Sequence, residues 1–192
     1  RFQMEDGTID YFDDDGRSAR QFLLRNPVPN GRFTSGFGMR RHPVLGYSRM
    51  HTGVDWAAPR GTPIIASGNG VVQRAGWSGG YGRQVIIRHA NGYETSYSHM
   101  HAIADNVSQG SRIRQGQVIG YVGMTGLATG PHLHYEFLVN GVHRNPVTVP
   151  LPRSNPVAAN EKSRFLENSN RLLAQIETLH RTHLARQGDK EG

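Results

Sequence analysis

The chain contains no cysteine among its 192 residues. Disulfides, thiolate metal sites and a cysteine nucleophile are therefore all excluded, and a transition metal held here must take imidazole and carboxylate donors. Long hydrophobic runs are also missing: no stretch reaches the roughly 20 apolar residues of a membrane-spanning helix, and nothing resembling a secretory leader is present. The first residue is Arg1, so the chain reads as part of a longer precursor whose targeting segment and any upstream domain lie elsewhere. Charge is sparse, at 19% of residues, whereas there are 24 glycines and 10 prolines. That balance suits a turn-rich β protein better than a helical bundle.

Three stretches differ in character. Residues 1–26 carry short apolar segments around an acidic cluster, Asp13-Asp14-Asp15-Gly16, and predict an N-terminal β-hairpin extension. The acids are contiguous, while a calcium loop of the EF-hand type alternates them and closes with Glu, so a solvated turn is expected. Residues 27–150 hold a series of β-like runs, Pro63–Ala66, Gly70–Gln73, Gln84–Ile87, Tyr93–Tyr97, Gln117–Gly120 and Leu133–Val139. Turn signals such as Ala90-Asn91-Gly92 and Asn140-Gly141 separate them, which predicts an all-β core of antiparallel sandwich or groove type. Residues 151–192 open with Pro152 and Pro156 as a linker and continue into one amphipathic helix capped at Asn160. Its stripe of Phe165, Leu166, Leu172, Leu173, Ile176, Leu179 and Leu184 is expected to pack on its own domain, with oligomerisation or docking as the alternative.

Ten histidines are present, and two motifs concentrate them: His51-Thr52-Gly53-Val54-Asp55 and Gly130-Pro131-His132-Leu133-His134-Tyr135-Glu136. On a strand, His132 and His134 share a face with Cα atoms about 7 Å apart, so they can share a metal or divide ligand and proton-carrier roles. His51 and Asp55 would stand about 13 Å apart if fully extended, so the chain must bend between them, and Gly53 relieves the steric limit on that bend. Two imidazoles and one carboxylate leave a coordination position for water, the makeup of a catalytic zinc site and not of a closed structural one. Taken singly, each histidine has the blander alternative of a packing or surface role. Spacing alone leaves open which of the strand pair binds metal.

Four segments resemble the lysostaphin-type, LytM-like zinc endopeptidases: Gly36-Phe37-Gly38-Met39-Arg40, His51 to Asp55, Tyr97-Ser98-His99, and Gly126 to His134. They occur in order over about residues 32–147. The segment Arg41 to Gly46 and the acidic N-terminal hairpin further resemble Gram-negative members acting on direct cross-links. The resemblance implies a LytM-type groove, zinc at His51, Asp55 and His134, and catalytic roles for His99 and His132. No His-Glu-x-x-His helix is present, so an imidazole serves as base. His101 rivals His99, since an unbroken strand would put both on one face; His89 is expected to be structural, and His42, His143, His180 and His183 to have solvent or packing roles. The loops Gly76–Gly82 and Gly36–Gly38 are expected at a groove edge. Residues 27–150 are then the LytM-like domain, its substrate peptidoglycan stem peptides and its place the periplasm or cell envelope, with an upstream inhibitory domain or regulatory protein as further partner. The alternative is a non-catalytic wall-binding activator of other hydrolases. The net charge of +7 also admits nucleic acid, but no aromatic-basic RNA motif is present and none is expected as partner.

Overall fold

The computed structural model describes residues 1–5, 7, 9–18, 22–41, 48–151 and 156–188. They form two units, Arg1–Phe22 with Leu151–Gly192, and Leu23–Pro150.

In the first unit, β1 (Phe2–Gln3) pairs antiparallel with β2 (Ile9–Asp10). The acidic cluster is a solvated turn: the Gly16 N–H donates to the Asp13 carbonyl, the Arg17 N–H to Asp13 Oδ1, and the Arg17 guanidinium pairs with Asp15 at 2.9 Å. Regular pairing thus lies before this turn, which is itself flanked by a single bridge, Phe12 to Ser18. The C-terminal helix α1 (Lys162–Gly188) follows a 3-10 turn over Ala159–Glu161, so Asn160 lies inside that turn and not at a cap. Phe165 is buried, its ring 5.3 Å from Phe2 and 5.7 Å from Phe12, and Arg164 lies 4.5 Å over Phe2. Beyond those first turns the apolar stripe is uncovered, with Ile176 61% and Leu179 70% exposed. The spacing predicts an amphipathic helix correctly, but the expected packing on its own domain does not hold, because the N-terminal segment reaches only the helix's start.

The second unit is built from β3 (Arg32–Ser35), β4 (Gly38–Arg41), β5 (Ser48–His51), β6 (Gly53–Ala57), β7 (Pro63–Ile65), β8 (Gly70–Trp77), β9 (Arg83–Arg88), β10 (Tyr93–Ile103), β11 (Arg112–Ile113), β12 (Val118–Val122), β13 (His132–Val139) and β14 (Val142–Arg144). Ten strands make one antiparallel sheet, ordered β11-β8-β9-β10-β13-β6-β3, with β12 joining β10 to β7 and β14 beside β13; β4 and β5 form a separate hairpin. Each β-like run in the sequence has become a strand. Asn140 and Gly141, at φ 50° and 77°, make the two-residue turn from β13 to β14, a geometry that needs left-handed residues at both places.

Alternation sorts the central strands. Val54, Val85, Ile87, Tyr97, Leu133 and Tyr135 point to one face and are fully buried, each contributing roughly 1.5–3 kcal/mol of hydrophobic stabilisation. The opposite face carries Gln84, Ser96, Ser98, His134, Glu136 and Asp55, because the register sets Ser98 and Asp55 on either side of His134, and Ser96 and Gly53 on either side of Glu136. The Arg25 guanidinium fastens the unit's two ends, donating to the carbonyls of Pro146, Val147 and Val149.

Candidate metal centre

His134 and Asp55 are directly opposed across β13 and β6, so their side chains rise from the same face of the sheet. His51 arrives differently. It closes the β4–β5 hairpin, Thr52 alone separates it from β6, and the bend demanded by the sequence is a change of sheet. Gly53 does not take a left-handed φ; contrary to expectation, its use lies in close packing. A Cβ there would stand 2.4 Å from the Tyr135 carbonyl oxygen.

The three side chains converge, each 7–8% exposed. Asp55 Oδ1 lies 3.1 Å from His51 Nε2 and 2.9 Å from His134 Nδ1, and the two nitrogens are 3.0 Å apart. Three donors around one tetrahedral ion at bond lengths of about 2.0–2.1 Å would stand roughly 3.3–3.4 Å apart. The observed triangle is a slightly contracted face of that tetrahedron, so the set can hold a single metal ion.

The outer contacts of the two imidazoles agree with that fit. His51 Nδ1 is 2.6 Å from the Gly36 carbonyl oxygen and His134 Nε2 is 3.3 Å from Glu136 Oε1. These acceptors assign the ring protons outward and turn the remaining nitrogens, with the carboxylate, toward one point. Burial works against a charge on His134, yet its bonds to Asp55 and Glu136 prevail and raise it to about 9. Burial likewise opposes the Asp55 carboxylate, but His134 and His51 hold it well below the usual range. A centre that draws a proton this firmly is one where a divalent cation can replace it.

Two more histidines stand beside the triangle. The rings of His99 and His132 are 4.8 Å apart, and His99 is 6.0 Å from His134. His99 Nδ1 is 2.8 Å from the Thr125 carbonyl oxygen, and His132 Nδ1 2.8 Å from that of Gly130. Both acceptors take an N–H, which leaves Nε2 of each ring as a proton acceptor. His132 Nε2 is 3.9 Å from Asp55 Oδ1. Burial holds His99 down to about 4, with the Thr125 hydrogen bond opposing, so it is neutral at pH 7. A groove of about 770 Å³ opens over all five residues, walled by Thr34, Ser35, Met50, Gly80, Tyr81 and the segment Leu127–Pro131.

A family model described as peptidase family M23 matches residues 49–146, half of the chain. The chain belongs to peptidase family M23. It is 44% identical over 175 residues to the peptidoglycan DD-endopeptidase ShyC of Vibrio cholerae, covering 91% of this chain and 40% of that protein. To the DD-carboxypeptidase/endopeptidase Mpg of Neisseria meningitidis it is 46% identical over 170 residues, 85% of this chain and 38% of the relative. The chain thus spans about two-fifths of these curated relatives. Among solved structures it is similar to a zinc-containing peptidase from Vibrio cholerae, at a TM-score of 0.64 and 36% identity over 79% of this chain and 46% of that one. It is also similar to the catalytic domain of lysostaphin from Staphylococcus simulans, at 0.58 and 31% over 65% of this chain and 96% of that domain. The antiparallel core is therefore the M23 fold.

Within this M23 domain the remaining histidines separate clearly. His101 does not share a face with His99: a bulge interrupts β10 between Tyr97 and Met100, His99 takes φ 62°, and His101 turns to Arg60 at 2.9 Å. His89 is buried between the Asn69 carbonyl and Thr95 Oγ1, away from the groove. His180 is exposed. His42, with most of the Arg41–Gly46 segment, lies outside the described residues, as does the side chain of His183. Of the two glycine-rich loops, Gly76–Gly82 contributes Tyr81 to the groove, while Gly36 contributes its carbonyl to His51. Sequence reasoning missed Glu136 and Thr52, which bond each other beneath the centre, and gave His143 no part there, although it lies 3.4 Å from Glu136 Oε1. A signal for Glu136 was available. It is two residues after His134, hence on the same strand face.

Proposed function

We propose that this chain is a zinc-dependent endopeptidase that hydrolyses peptide cross-links of bacterial peptidoglycan, with residues 27–150 as the peptidase domain. His51, Asp55 and His134 are its metal ligands and His99 and His132 its catalytic histidines. The observation that carries this reading is the triangle of two imidazoles and a carboxylate whose outward nitrogens are already committed to Gly36 and Glu136. Zinc held there supplies Lewis acidity that polarises a peptide carbonyl and acidifies water. His99 and His132, each with Nδ1 engaged by a backbone carbonyl, present Nε2 to the groove: one takes the proton of the attacking water and the other serves the developing oxyanion or the leaving amine. The groove of about 770 Å³ over the five residues has room for a peptide, and the net charge of +7 suits an anionic wall polymer.

The relatives are named peptidoglycan DD-endopeptidases, which supports a cross-link between D-centres over a glycine bridge; the D-alanyl to meso-diaminopimelate bond is the target this reading takes. Such work belongs to the periplasm or cell envelope; among the described residues no helix is long and apolar enough to cross a membrane. Because the relatives are more than twice as long, control by an upstream inhibitory segment or a regulatory protein is part of the proposal. A non-catalytic activator of other wall hydrolases is the competing function, disfavoured by the complete donor set.

The test is metal analysis after dialysis, then digestion of isolated sacculi by wild type and His134→Ala, with mass spectrometry of the released muropeptides. Expected are about one zinc per chain and cleaved cross-linked dimers for wild type only. A zinc-loaded wild type that releases nothing, or a variant equal to it, refutes the enzymatic reading.

A further inference from the structure

We infer that Glu136 is the positioning residue of the metal centre: one of its carboxylate oxygens fixes the orientation and tautomer of His134 and ties the groove wall to the same point. This rests on the zinc-site reading above and goes beyond it to a residue outside the ligand and catalytic sets.

Glu136 is 4% exposed, and a carboxylate so buried is tolerated only when donors surround it. Four groups converge on its Oε1: the Thr52 hydroxyl at 2.5 Å, the Tyr81 hydroxyl at 3.3 Å, His134 Nε2 at 3.3 Å and His143 Nε2 at 3.4 Å. They come from four different segments. Thr52 is the one residue between β5 and β6, so it lies between His51 and Asp55 in the chain. Tyr81 ends the 3-10 turn Gly79–Tyr81 at the groove edge. His134 is on the same strand face, and His143 is on β14 next door.

The sheet makes room for this hub. Glu136 is opposed by Gly53, and a Cβ on Gly53 would stand 3.0 Å from Glu136 Cγ. The Glu136 side chain thereby lies, at its Cγ, against space that a side chain at position 53 would enter. With its Nε2–H facing the Glu136 carboxylate, His134 is left with its lone pair on Nδ1, the atom that faces Asp55 and His51, once a metal cation displaces the proton that Nδ1 shares with Asp55. Remove the acceptor, and His134 is free to take either tautomer and to rotate. The loss of such an outer partner typically weakens metal binding by about 10–100-fold.

The experiment measures the zinc dissociation constant by competition with a chromogenic chelator for wild type, Glu136→Gln and Glu136→Leu, with thermal unfolding of each. The Leu variant should bind zinc about 10–100-fold more weakly. The Gln variant keeps an acceptor oxygen and should recover most of that loss. A residue acting only in packing would lower the melting temperature and leave zinc affinity unchanged, and that result overturns the proposal. Should the Leu variant not fold, the His134 Nε2–H proton resonance of the zinc-loaded protein decides: it must shift upfield when Glu136→Gln replaces the carboxylate by an amide, and an unchanged resonance refutes the contact. A wild type that does not bind zinc overturns the zinc-site reading as well. A wild type that binds zinc while the Leu variant matches it overturns the role of Glu136 alone.

Discussion

Replacing Gly53 by alanine is the smallest change that should reach the centre through the sheet. The added Cβ would stand 2.4 Å from the Tyr135 carbonyl oxygen, 2.9 Å from His134 Cε1 and 3.0 Å from Glu136 Cγ. The first contact is with backbone, so no rotamer relieves it. Since a Cβ does not approach such an atom within 3.0 Å, β6 and β13 must part locally by at least about 0.6 Å. Overpacking of this kind costs typically about 1–3 kcal/mol, and at about 2–4 °C per kcal/mol for a chain of this size the melting temperature should fall by about 2–12 °C. The parting occurs two pairs along the ladder from His134 and Asp55, on the same sheet face, and the donor atoms of those two residues are only 2.9 Å apart. Zinc affinity and hydrolysis should therefore fall together, the latter by about 10–100-fold if displacement approaches 1 Å. Differential scanning fluorimetry and chelator competition measure both quantities. Gly36→Ala is the control, because its Cβ would meet nothing nearer than Phe33 Cζ at 3.9 Å and its carbonyl to His51 is retained. A Gly53→Ala protein with unchanged melting temperature and zinc affinity refutes the close-packing account.

Three further outcomes are expected. His99→Ala and His132→Ala should each retain zinc yet lose about 10²–10⁴-fold in turnover of a cross-linked muropeptide; loss of zinc from either would make it a ligand instead. Chelation should lower the melting temperature, and added zinc should restore it, since only the folded chain holds the donors together; a curve indifferent to chelator contradicts this. Burial depresses the pKa of His89, with the Asn69 hydrogen bond and Glu94 opposing. Its folded value lies below the unfolded value near 6.5, so the stability it contributes is complete above about pH 6.5 and is lost as pH falls through the folded pKa. His89→Gln should flatten the acid limb of melting temperature between pH 7.5 and 5, and identical slopes would remove His89 from the account.

Much of this fold is legible in the sequence because period-two alternation and paired turn residues are local properties. Leu133 and Tyr135 lie in the core while His132 and His134 face the groove, as alternation alone requires. What alternation cannot supply is register. That Asp55 lies opposite His134, and Gly53 opposite Glu136, is decided by pairing between segments about 80 residues apart. The N-terminal unit shows the same limit. Phe2, Phe12 and Phe165 form one cluster, yet nothing local in the first stretch announces its partner on α1. The helix itself was readable from spacing; the exposure of Leu172, Leu173, Ile176 and Leu179 was not, since spacing defines a stripe without saying what covers it.

The choice between His99 and His101 turns on a feature no periodicity can reveal. A regular β10 would put both on one face, but His99 has φ 62°, a conformation unfavourable for a residue with a side chain, and the pairing with β9 slips between Tyr97 and Met100. A left-handed non-glycine residue costs on the order of 1–3 kcal/mol and persists only where its surroundings over-determine it. Here they do. Thr125 bonds the His99 ring through its carbonyl oxygen and bonds the Met100 carbonyl through its hydroxyl, and Gly82 and Gly123 pack so closely that a Cβ on either would strike Thr125 or the backbone at His101. The bulge reverses the side-chain sequence, so that His99 faces His132 across 4.8 Å while His101 turns to Arg60. The strain is thus confined to the one position on β10 where an imidazole must leave the pleat to reach the groove.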